Sequence, residues 1–189
     1  MSNAVKIIAG SLKNRNIKMP KGSETRPALV LVRRVICDTL TPYILDSTVL
    51  DLFAGTGAFV FEMISRGAGR AVANDLERPM SEALIKNSQN LGIADQVQVL
   101  NYDYLEAIKR LGQTKKQFDI IFVAPPFYGE YVNLALEAIH EQNLLAPESI
   151  LIAHYYKKDK VAESQPGLKL WKQKIHGNSI MDFFVGDGQ

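Results

Sequence analysis

Apolar and polar positions follow one pattern in the opening segments of the chain and another through most of the rest. VKIIAG and RNIKMP are short apolar-rich stretches separated by the polar SLKN, which predicts a β-hairpin. Pro20, Gly22 and Pro27 then interrupt the pattern. From about Ala28 to Leu45 apolar side chains recur at helical spacing, and Pro42 predicts a kink or an end near Thr41. From Thr48 onward, short apolar runs alternate with longer amphipathic segments: TVLDLF, FVFEMISRG, AVAND, a helix from about Arg78 to Leu91, VQVLN, LEAIKRL, DIIFVA, VNLALEAIH and SILIAHY.

Strands alternating with helices predict a mostly parallel, doubly wound α/β sheet, because parallel neighbours need a long crossover and a helix supplies it. After His154 the alternation stops. LKLWKQKI and IMDFFV flank the turn signal HGNS, predicting an antiparallel strand pair at the end of the sheet. The chain contains no internal repeat and no low-complexity tract. Pro20–Pro27 alone has linker character, dividing a basic hairpin extension over residues 1–24 from a sheet domain over 25–189.

With 189 residues, 47% of them hydrophobic and 22% charged, the chain is long enough to bury one core without staples. No apolar run is long enough to span a bilayer and no secretory design opens the chain, so a soluble cytoplasmic protein is expected. The single cysteine, Cys37, lies in the apolar VICDTL and is expected to be a small buried side chain. Charge is lopsided: residues 1–35 hold eight basic residues against Glu24 alone, a balance of +7 that leaves −5 for the rest of a chain whose net charge is +2. Such an arm suits a polyanion, and equally a solvated terminus.

DLFAGTGAF runs from a strand into a helix with Gly55 and Gly57 in the turn. At the carboxyl end of a strand in a doubly wound sheet, a glycine turn lets backbone amides approach a ligand closely. The third glycine of a dinucleotide fingerprint would fall at Val60, so that match is partial. Asp75 closes the next strand, where a carboxylate can accept hydrogen bonds from both ribose hydroxyls of a nucleoside. Asp103 follows the third strand within NYDYLE, where it could meet an exocyclic adenine amine. Taken singly, Asp75 and Asp103 read as helix caps or first-turn acids. Asp51, Asp75 and Asp103 end three successive strands, and a parallel sheet brings such ends to one edge. The three histidines have no metal-ligand spacing. Trp171, alternating with lysines, reads as half-buried strand packing.

With DLFAGTG and APPF both in view, the chain resembles the class I S-adenosylmethionine (SAM)-dependent methyltransferases that modify exocyclic amines of nucleobases. Within them it is most similar to the RsmD family, bacterial small-subunit (16S) rRNA guanine-N2 methyltransferases. The likeness runs from KIIAGSLKNRNIKMP through TRP at 25–27, VLDLFAGTGAF at 49–59 and FDIIFVAPPF at 118–127 to IHGNSIMDFF at 175–184. It implies a Rossmann-like methyltransferase domain in which Asp51, Phe53, Ala54, Gly55 and Gly57 line the methionine part of SAM. It further implies that Asp75, with Leu76 beside it, holds the ribose, and that Asp103 with Tyr104 meets the adenine. The loop Ala124, Pro125, Pro126 and Phe127 would receive the target guanine, with Phe127 stacking on it. Lys13, Arg15, Arg26 and Arg33 would contact rRNA. The implied partner is rRNA or the assembling small subunit, with no metal or membrane, and the protein is expected to be a monomer.

The family's tetrad begins with Asp or Asn, and here Ala124 takes that place. Methyl transfer from a sulfonium is an in-line displacement, so the enzyme must hold the amine nitrogen against the methyl carbon with its lone pair along the bond. Two acceptors, the first side chain of the loop and the carbonyl of Pro125, would bond the two amine N–H groups; Ala124 removes one. Losing one oriented catalytic hydrogen bond costs about 3–4 kcal/mol, by analogy with oxyanion holes. ALVL at 28–31 and Ala153 also lack polar groups that the family pattern leads one to expect. Three readings stay open: an rRNA guanine-N2 methyltransferase in which another group such as Tyr128 or Tyr131 replaces the acceptor, a weakened or inactive protein that binds SAM and RNA, and a methyltransferase for a small molecule or protein.

Overall fold

The computed structural model describes residues 4–20, 27–162 and 165–186 of the protein. The hairpin predicted at the N-terminus is formed by β1 (Ala4–Lys6) and β2 (Asn16–Lys18), antiparallel with Ala4 opposite Lys18. Strands of three residues do not stand alone in water, and this pair is tied down from below. Ile7 and Ile17 are buried in the core. The Glu62 carboxylate accepts from the Ile8 and Ala9 N–H groups at 2.8 and 3.0 Å, and the Leu12 N–H donates to Ser65 Oγ. Asn87 bonds both the N–H and the carbonyl of Lys18. The basic segment is therefore a docked hairpin.

Helix α1 (Pro27–Leu40) ends earlier than its apolar spacing predicts, because Pro42 opens a 3-10 turn over Thr41–Tyr43 and a proline cannot donate to the preceding helical turn. The alternation after Thr48 becomes β3 (Thr48–Asp51), α2 (Ala58–Ser65), β4 (Arg70–Asn74), α3 (Arg78–Leu91) and β5 (Val97–Leu100). It continues with α4 (Tyr104–Gln113), β6 (Phe118–Val123), α5 (Tyr131–Glu141) and β7 (Leu145–Tyr156). Helix α3 has the predicted limits because Pro79 lies in its first turn and left-handed Gly92 caps its end. β8 (Leu168–His176) and β9 (Ser179–Gly186) form the expected antiparallel pair around a turn at Gly177 and Asn178.

The seven-stranded sheet has the order β5-β4-β3-β6-β7-β9-β8. Strands β3 to β7 are parallel, and β9 runs antiparallel between β7 and β8. Side chains of one parity, such as Val49, Ala71, Ile120 and Phe122, pack with α1, α2 and α3. Those of the other, such as Leu50, Val72 and Ile121, pack with α4 and α5. Strands covered on both faces read as continuous apolar runs, which is why TVLDLF and DIIFVA stand out in the sequence. The order reverses between β3 and β6, and in such sheets ligands settle outside the carboxyl ends at that point. Cys37 lies in the core with its Sγ 4.0 Å from Met63 Sδ, and burial pushes its thiol up to about 12. Among the described residues, no helix is long and apolar enough to cross a membrane, and no group of three or more His, Cys, Asp or Glu side chains could hold a metal ion.

Candidate active site

The loop after β3 and the loop after β6 flank the reversal point of the sheet. In the first, Gly55 and Gly57 both take left-handed backbone, with φ 55° and 88°, which side chains rarely adopt. A β-carbon added at Gly57 would collide with Leu84 and Phe61, whereas one at Gly55 would meet nothing within 4 Å. Gly55 therefore opens onto free space and Gly57 seats the loop on the core. The Gly55 N–H donates to Asp75 Oδ2 at 2.7 Å, and the Glu77 N–H donates to Asp75 Oδ1 at 2.9 Å. A carboxylate has lone pairs for further donors after two such bonds.

Asp51 ends β3 almost wholly buried. Its Oδ1 accepts from the Phe53 N–H at 3.2 Å. Burial, with Asp75 nearby, raises its carboxyl to about 8, against the pull of that hydrogen bond; a cationic ligand would reverse the shift. Asp103 caps α4 by accepting from the Leu105 N–H at 2.9 Å, and it is exposed. Its second oxygen has no partner among the described residues. Tyr104 is buried, with its ring 5.2 Å from that of Phe53 and 6.0 Å from that of Tyr131. It forms a wall of the crevice, while Leu76 stands exposed at the rim.

These groups share one edge because of a residue that the sequence reading passed over. Asn74, buried at the end of β4, donates from Nδ2 to the carbonyls of Leu52 and Tyr102 at 3.1 and 3.0 Å, and accepts from the Tyr102 N–H at 3.1 Å. One side chain thus clamps the loops after β3 and β5 to the strand between them. An asparagine ending an apolar strand was the available signal.

On the other side of the reversal, β6 runs into Ala124, Pro125, Pro126 and Phe127. Ala124 is half-buried against the face that carries α1 and α2, Pro125 is buried and Pro126 exposed. The Phe127 ring packs 5.6 Å from His154 and 5.7 Å from Tyr156. Tyr128 has left-handed backbone and is 77% exposed, and Tyr131 opens α5 facing Tyr104.

The cationic residues separate. Lys13 and Arg15 are exposed, but the hairpin turn sits on Ser65 at the far end of α2 and Arg15 donates to the Asn90 carbonyl near the end of α3. Ser65 is one eight-residue helix, about 12 Å, from the glycine loop, whereas Asn90 is three residues beyond Asn87, whose side chain bonds the Thr56 carbonyl within that loop. Arg26 lies outside the described residues. Arg33, expected on the RNA face, is corrected: its side chain is only 6% exposed, 3.9 Å from Glu62, and donates to the Lys6 carbonyl at 2.7 Å. Fully buried Glu62 has two cations beside it, Arg66 at 2.9 Å and Arg33 at 3.9 Å, and Arg33 holds the hairpin down through the Lys6 carbonyl instead of reaching outward.

A model of the family described as Conserved hypothetical protein 95 matches residues 5–185. Ribosomal RNA small subunit methyltransferase D of Haemophilus influenzae is 32% identical over 174 residues, spanning 92% of this chain and 89% of its own. The protein of the same name from Escherichia coli is 29% identical over 188 residues, spanning 100% and 93%. Among solved structures, the yhhF protein of Escherichia coli superposes with a TM-score of 0.89 at 27% identity, covering 98% of this chain and 99% of its own.

Proposed function

Because the chain belongs to the family described as Conserved hypothetical protein 95, the RsmD family, we propose that it transfers a methyl group to the exocyclic N2 amine of a guanine in small-subunit rRNA. The protein is a SAM-dependent rRNA methyltransferase; the guanine, its N2 position and the residue roles that follow are our reading. The observation that carries it is the pairing of two loops across the reversal of the sheet, one glycine-rich and acidic, the other proline-bound and aromatic.

SAM supplies an electrophilic methyl group on a cationic sulfur. Asp51, ionised by that cation, binds the amino-acid end against the glycine loop, with the Gly55 backbone free for close approach. Asp75 orients the ribose and Asp103 the adenine edge, with Tyr104 and Phe53 as the wall. Phe127 stacks on a flipped guanine and fixes its plane, which is worth about 1–3 kcal/mol. The Pro125 carbonyl accepts one amine N–H, so the nitrogen lone pair points along the line of displacement. Lys13 and Arg15, on the docked hairpin, meet rRNA phosphates beyond the target nucleotide. The work is done by a monomer in the cytoplasm, on an assembling subunit.

The test is transfer of labelled methyl from SAM to small subunits that lack their m2G. Incorporation at a guanine N2, located by nuclease digestion and mass spectrometry, is expected. Label on another base or position would overturn the reading.

A further inference from the structure

The loop that is short of an acceptor at Ala124 has an unpaired polar group beside it. Strands β6 and β7 are parallel with Val123 opposite Ala153, so the next residues along, Ala124 and His154, are neighbours at the same sheet edge. They share a face: His154 has the parity of Ile150 and Ile152, which pack into the same cluster that receives Ala124. His154 is 4% exposed, and its Nε2 is enclosed with no hydrogen-bond partner among the described residues. Buried ring nitrogens are nearly always paired, and an exception calls for an explanation such as a role at a site. Its ring stands edge-on to Phe127 at 5.6 Å, the side chain assigned to stack on the base. Burial alone, with no charged group contributing, lowers the imidazole to about 4, so at neutral pH it is uncharged and keeps one nitrogen as a bare acceptor.

We propose that the His154 imidazole supplies the hydrogen-bond acceptor for the target amine that Ala124 lacks. The inference rests on the methyltransferase reading above. One amine N–H donates to the Pro125 carbonyl and the other to the imidazole. The amine nitrogen then forms its bond to the methyl carbon as the carbon–sulfur pair returns to sulfur. The surplus proton leaves the nitrogen along the imidazole hydrogen bond and passes on to water. Tyr128, exposed to solvent, and Tyr131, turned toward Tyr104, are worse placed for this than a ring already against Phe127.

The experiment measures kcat, KM for undermodified small subunits, SAM affinity and melting temperature in the wild type, H154F, H154Q, A124D and the double variant A124D/H154F. In H154F kcat falls about a hundred- to a thousandfold, the scale of one lost oriented hydrogen bond, with SAM affinity unchanged. H154Q, which keeps an acceptor, retains activity within about tenfold of the wild type. A124D restores most of the lost rate in the H154F background, a rescue that a merely structural histidine would not show. Wild-type kcat in H154F overturns the proposal, as does failure of A124D to rescue it, or an inactive wild type beside an active A124D. If neither the wild type nor A124D transfers any methyl group, it is the methyltransferase reading itself that fails.

Discussion

The loops on either side of the sheet reversal are held by different forces. After β3 the chain is pinned by directed polar contacts: Asp75 takes two backbone N–H groups, and Asn74 ties Leu52 to Tyr102. After β6, two prolines restrict the backbone and aromatic rings pack on one another; among the described residues the polar anchor is one bond at 3.2 Å from the Tyr128 N–H to Asp159. Hydrogen bonds weaken steeply with distance and angle, whereas the apolar burial of rings depends mainly on covered area and tolerates more rearrangement. A small donor molecule of constant shape needs the first kind of site, and a base swinging out of a folded rRNA needs the second.

Four changes test that contrast. Asp51→Asn removes the anion meant for a cationic ligand, and losing one partner of a buried charged pair costs about 2–5 kcal/mol. SAM affinity by calorimetry is expected to fall at least about thirtyfold; a change under threefold would remove Asp51 from the site. Asn74→Ala leaves two carbonyls and one N–H unpaired near the floor of the crevice, and denaturant unfolding should show a loss of about 3 kcal/mol, with SAM binding weakened alongside. Phe127→Ala is expected to cost about 1–3 kcal/mol in kcat/KM for rRNA while SAM affinity holds. If SAM binding fell with it, the two loops would be one unit.

A pH dependence separates two buried titrating groups of opposite sign, one at each loop. Asp51 is raised to about 8, so between its unfolded value of 3.8 and pH 8 the native state keeps a proton that the unfolded chain releases, and SAM-free stability declines as pH rises. His154 is lowered to about 4, so between pH 4 and 6.5 the unfolded chain takes up a proton that the native state refuses, and stability increases as pH rises. Each contributes about 1.4 kcal/mol per pH unit within its window. Melting curves should show Asp51→Asn flattening the decline between pH 6.5 and 8, and His154→Phe removing its share of the acid sensitivity below 6.5.

Much of the site is legible before any coordinates. Asp51, Asp75 and Asp103 each end an apolar run, and parallel strands joined by helices must place such ends on one edge. Gly55 and Gly57 announce a turn that only glycine makes easily. Arg33 misleads because its partner Glu62 lies 29 positions away in another helix, and a basic residue in a basic segment gives no sign of being buried. The hairpin reads in the sequence only as a basic extension, since the groups that dock it, Glu62, Ser65 and Asn87, belong to α2 and α3. His154 reads as the end of a strand, and nothing near it in the chain points to Ala124.

Local order is written in short-range periodicity: alternation of two for strands, near 3.6 for helices, and glycine or proline where the backbone must turn. That was enough to determine the α/β class, the order of elements and the strand ends that carry the acids. Which buried charge finds a partner, and which side chain faces a missing acceptor, depends on pairings between distant segments and on the register of β6 against β7. Those are set by packing the whole chain at once, so they were decided only in the folded molecule.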